Sequence, residues 1–75
     1  MNLYLVTRKD NCDGNEYDSA VICADNEEDA ASISPCYNPD YTPKYWNSNN
    51  LNVSLIGTAS KVILKSVILS SFNAG

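Results

Sequence analysis

Leu3-Tyr4-Leu5-Val6 and Tyr17-Asp18-Ser19-Ala20-Val21-Ile22-Cys23-Ala24 are two strand-forming runs separated by a polar stretch that contains Asp13-Gly14. The first run is short, rich in strand formers and apolar on both faces, so it reads as a central strand covered at least in part on each side. Asp-Gly is a turn signal. A connection from Lys9 to Glu16 is short enough for the two runs to pair antiparallel as a hairpin. Further along, Leu51, Val53 and Leu55 alternate with Asn52 and Ser54, a strand with one buried face that ends at Gly57. Ala59-Ser60-Lys61 makes a turn. The β-branched content of the run from Val62 to Phe72 then argues for a strand rather than a helix. Val67-Ile68-Leu69 is its core, and Val62-Ile63-Leu64 reads as strand continuation or bulge.

Between the two pairs of strands, Asp25 reads as a helix N-cap, with Glu28 three residues on in an approximate capping box. Glu27, Glu28 and Asp29 fall in the first turn, where the helix dipole favours negative charge. Pro35 disfavours helical geometry before it, so the helix ends near Ser34 after about two turns. Its apolar face offers Ala30, Ile33 and Ala31, too little to roof a four-stranded sheet. Residues 34–50 hold all three prolines and four of the seven aromatic residues, Tyr37, Tyr41, Tyr45 and Trp46. Such a loop is uncommon in a small domain unless it is functional. Its rings either complete the core that the short helix leaves open or form a binding surface, and a half-buried ring does both. The order β–β–α–loop–β–β makes residues 1–75 a single α+β domain. One antiparallel four-stranded sheet carries the helix and the aromatic loop on one face.

The chain has 75 residues, near the lower limit for a domain without covalent staples. Three cysteines, Cys12, Cys23 and Cys36, fit neither a disulfide framework nor a zinc site, and read as reduced thiols. There is no histidine, which removes the commonest general base and metal ligand. Charge is strongly lopsided. Asp10, Asp13, Glu16, Asp18, Asp25, Glu27, Glu28 and Asp29 follow one another with no intervening Lys or Arg, for a formal charge of −8. The remainder, with five cations against Asp40, carries +4. Such a field repels polyanions and attracts basic surfaces. Carboxylates in a turn and in a helix's first turn are expected to be solvated rather than catalytic. Asp10, Asp13 and Glu16 lack the residue order of a calcium loop. No glycine-rich phosphate loop and no basic patch for nucleic acid is present. The expectation is a protein with no catalytic residues, no cofactor and no metal, lying outside the membrane in the cytoplasm.

With the elements placed, the chain resembles a family of short phage and prophage proteins of uncharacterised role. The resemblance lies in the opening Leu3-Tyr4-Leu5-Val6-Thr7-Arg8 and in Glu16-Tyr17-Asp18-Ser19-Ala20-Val21 running into Glu27-Glu28-Asp29-Ala30. It continues in Leu55-Ile56-Gly57-Thr58-Ala59 and in the ending Val67 to Gly75, whose Ser71-Phe72-Asn73-Ala74-Gly75 is its most distinctive part. Residues 34–50 depart from it. The resemblance implies a small phage accessory product acting in the cytoplasm of an infected or lysogenic bacterium, and such products often bind a host protein. Joined to the charge pattern, it suggests an inhibitor of a host protein with a basic surface, for example a CRISPR or restriction component, in one form as a nucleic-acid mimic. Its contact residues would be the acidic Asp10, Asp13, Glu16, Asp18, Glu27, Glu28 and Asp29, with the aromatic Tyr37, Tyr41, Tyr45 and Trp46. The alternative is a structural protein that self-associates as a homodimer through strand edges or the aromatic loop.

Overall fold

A computed structural model describes residues 1–10, 14–36, 41, 43–61 and 64–73. Among the described residues, four strands, β1 (Asn2–Arg8), β2 (Glu16–Ala24), β3 (Leu51–Thr58) and β4 (Ser66–Asn73), accompany one α-helix, α1 (Glu27–Ser32), in chain order β1-β2-α1-β3-β4, with a short 3-10 turn at Ser48–Asn50 before β3. They form one antiparallel sheet in the spatial order β3-β1-β2-β4. The hairpin therefore lies in the middle of the sheet and the two later strands are its edges. Cross-strand pairs Tyr4↔Ile22 and Val6↔Ala20 set the register of the hairpin. Because side chains alternate along a strand, this register places Tyr4, Val6, Ala20, Ile22 and Ala24 on one face. There they pack with Leu51, Ala30 of α1 and Trp46 of the loop as the core. The fold is the α+β arrangement that the strand pattern implies.

One local detail adds to the sequence reading and a second corrects it. The hairpin turn takes its left-handed residue at Asn15 (φ 63°) rather than at Gly14, a conformation that Asn tolerates better than most side chains. The cap of α1 is Asn26, not Asp25: the Asn26 Oδ1 accepts from the Asp29 backbone N–H at 2.8 Å. Asp and Asn cap helices about equally well, so residue type alone does not distinguish neighbouring candidates. Glu28 is thereby released from the capping role and stands exposed. Replacing Asn26 with Ala is expected to lower unfolding free energy by about 1 kcal/mol. Urea denaturation followed by circular dichroism measures this, and an unchanged midpoint would show that the cap contributes nothing in solution.

The second face of the sheet is less covered than the apolar opening strand suggests. Cys23 is fully buried there, with Met1 Sδ lying 3.8 Å from its Sγ. Leu5 is exposed to 37% and Leu69 to 64%. Val62 and Ile63 lie outside the described residues. Among the described residues, no helix is long and apolar enough to cross a membrane.

Candidate functional site at the hairpin mouth and helix start

The turn end, or mouth, of the β1–β2 hairpin is built around Arg8. Its side chain is only 4% exposed, although a guanidinium normally stays in water. The cause is a dense set of partners. Arg8 Nε and Nη2 donate to the two oxygens of Asp10 at 2.8 and 2.7 Å, the planar fork matching the carboxylate. Nη1 lies 3.3 Å from Glu16 Oε1 and donates to the Tyr17 carbonyl at 3.4 Å. The guanidinium carbon sits 5.2 Å from the centroid of the Tyr45 ring, in cation–π range.

Rings gather around this ion pair. Register irregularities between Tyr17 and Ser19, and between the β2 and β4 partners near Val21 and Ile22, break the alternation of these strands. Such bulges re-aim side chains. Tyr17 accordingly packs against the core. It meets Phe72 edge-to-face, with centroids 5.0 Å apart and planes at 68°. Tyr17, Phe72, Tyr41, Tyr45 and Trp46 together line a cavity of about 360 Å³ whose rim holds Arg8, Glu16 and Lys44. That volume is within the range of small-ligand or side-chain pockets. Asn50 secures the loop across it, its Nδ2 donating to Asp10 Oδ1 at 2.9 Å and to the Tyr45 carbonyl at 3.0 Å.

Hydrogen bonds from Arg8, then from Asn50, hold the Asp10 carboxyl down at about 2. The reciprocal bond to Asp10 pushes Arg8 further above its ordinary value. A carboxyl lowered by folding adds stability that is complete above its ordinary pKa of about 4 and is lost as the pH falls toward the folded value. The hairpin mouth should therefore loosen as the pH falls from about 4 to about 2. A carbon-13 titration of the Asp10 carboxyl should show a midpoint of about 2. A midpoint at the ordinary value would contradict the ion pair.

The carboxylates that are contiguous in sequence do not form one surface. The two groups sit at opposite ends of extended β2, whose nine residues, Glu16–Ala24, span about 26 Å at about 3.3 Å per step. Asp10, Glu16 and Asp18 belong to the hairpin mouth. Asp25, Glu27, Glu28 and Asp29 belong to the start of α1, at the other end. Lys65, just before β4, pairs with Asp29 at 2.9 Å and with Asp25 at 3.7 Å, and its pKa is raised chiefly by the hydrogen bond to Asp29. Glu27 and Glu28 are left exposed. Glu28 borders a second cavity of about 370 Å³, which Trp46, Asn47 and Ser48 close from the loop side. The aromatic loop divides in the same way. Trp46 is buried at 3% exposure as part of the core, whereas Tyr41 and Tyr45 are exposed. Asp13 and Tyr37 lie outside the described residues.

The Arg8 clasp escaped the sequence reading, yet the hairpin carries its signal: pairing Thr7 with Ser19 brings Arg8 opposite the acidic start of β2. No family model, curated protein or solved structure matches the chain.

Proposed function

We propose that this chain is a non-enzymatic accessory protein that binds and inhibits a host protein bearing a basic surface, with a defence component such as a CRISPR or restriction effector as the class of target. The observation that carries the reading is the exposed pair Glu27 and Glu28 at the start of α1, beside the cavity closed by the Trp46–Ser48 segment. Acidic groups there steer a basic partner, and the exposed Tyr41 and Tyr45 supply ring area of the kind that anchors interfaces. Both groups belong to the segments that cover the same side of the sheet. A partner spanning about 26 Å reaches both ends, the width of a standard interface of roughly 800 Å² per side. The resemblance to short phage proteins makes a bacterial host protein the appropriate class of partner.

The division of the carboxylates favours local charge pairing over imitation of a phosphate backbone. A mimic presents a long row of free anions, whereas Arg8 occupies Asp10 and Glu16, and Lys65 occupies Asp25 and Asp29. The test is capture from bacterial lysate by the immobilised chain at low and high salt, alongside a Glu27→Gln/Glu28→Gln variant. Binding should fall at least tenfold at high salt and again in the variant. A partner retained equally by both proteins at both salt concentrations would dispose of the acidic contact.

A further inference from the structure

The face of the sheet opposite α1 has a composition of its own. Leu5 and Val21 are cross-strand partners at its centre, with Leu3 and Leu69 beside them. The remaining positions that the register assigns to this face are serine, threonine, asparagine, Cys23 and Gly57. Apart from Glu16 at the turn end, which pairs with Asn73 and whose carboxylate is held by Arg8, none is charged, although 19% of the chain is. The two edge strands, Leu51–Thr58 and Ser66–Asn73, contain no charged residue either. Solvent-facing sheets and free edges of monomeric proteins are ordinarily protected by Lys and Glu. An apolar centre with a neutral polar rim is instead the composition of a protein interface.

We infer that this face receives a second copy of the chain, the two sheets packing face to face about 10 Å apart around a two-fold axis near Leu5 and Val21. The charge distribution selects the occupant. In a two-fold interface only groups near the axis meet their own mates, so a charge there is repelled by its copy whereas the apolar Leu5 and Val21 meet theirs without that cost. The described acidic groups, which would repel their mates at an axis, are concentrated at the hairpin mouth and the helix start instead. Four strands at about 4.8 Å spacing and seven residues at about 3.3 Å rise give a projected footprint of roughly 19 by 23 Å per copy. That is at the small end for specific association, so the dimer is weak, with a Kd on the micromolar scale. It leaves α1 and the aromatic loop outward on both copies. The inference therefore does not depend on the inhibitor reading, and either can fail alone.

Sedimentation equilibrium on the full chain from about 1 to about 200 µM, spanning that Kd range, tests it. The wild type is expected to be mostly dimeric at the upper concentration. Leu5→Lys and Leu5→Glu should each weaken association at least tenfold, because like charges then face each other across the axis. Mixing the two variants should restore it. Circular dichroism checks their folding, and the exposed polar positions Ser54→Lys and Ser71→Lys supply the same charge on this face should position 5 prove intolerant. A wild type that remains monomeric at the highest concentration would overturn the inference. A dimer that ignores all of these charges would also overturn it, by placing the contact on another surface such as a strand edge.

Discussion

Trp46→Ala is expected to leave the chain without a stable native state at room temperature. Trp46 is 3% exposed and packs with Tyr4, Val6, Ile22, Ala30 and Leu51. Truncating a buried Trp costs about 3 to 5 kcal/mol. A core of this size supplies about the same net stability, so nothing is left in reserve. The reason is architectural. With six residues, α1 places a single fully buried side chain, Ala30, against the sheet, and the indole fills what the helix leaves open. Trp46→Phe separates packing from hydrogen bonding. Among the described residues the buried Trp46 Nε1 has no hydrogen-bond partner, and an unsatisfied buried donor costs about 1 to 3 kcal/mol. Losing ring area while removing that cost should leave the Phe variant within about 1 kcal/mol of wild type. Thermal melts of the two variants measure the contrast. A folded Ala variant with an unchanged melting temperature would remove Trp46 from the core.

Arg8→Ala is the second large effect, expected to lower stability by about 1 to 2 kcal/mol through lost hydrogen bonds and the covered aliphatic stem. It should also free the Tyr45 ring, to which Arg8 is stacked, and leave the Asp10 carboxyl to titrate in its ordinary range. Arg8→Lys should recover little, since an ammonium cannot reproduce the two-pronged contact with Asp10. Urea unfolding together with the Asp10 titration reads both consequences. An Arg8→Ala protein with wild-type stability and a still depressed Asp10 carboxyl would refute the clasp.

All four strands and the helix were legible in the sequence because apolar alternation, β-branched runs and Pro35 each act within a few residues. The grouping of the carboxylates was not. Adjacency in the chain becomes distance once β2 is extended, so Glu16 and Asp25 separate to opposite ends. The pairing of Lys65 with Asp25 and Asp29 requires β4 to lie beside β2, where Ser66 aligns with Cys23. No local pattern encodes which edge of the hairpin β4 takes. Nor does alternation anticipate the irregularity near Tyr17 and Ser19 that accompanies the Tyr17–Phe72 contact. The division of the aromatic loop into a buried Trp46 and an exposed Tyr45 was open on residue type alone, since both rings serve either environment.

The contact surface can be read directly by hydrogen–deuterium exchange of the chain, free and bound to a captured partner. Protection is expected in α1, from Glu27 to Ser32, and in the loop from Lys44 to Asn50, with Leu3, Leu5 and Leu69 unchanged at fixed protein concentration. Protection confined to the opposite face or to the strand edges, with the helix and loop unaltered, would contradict the binding surface proposed here.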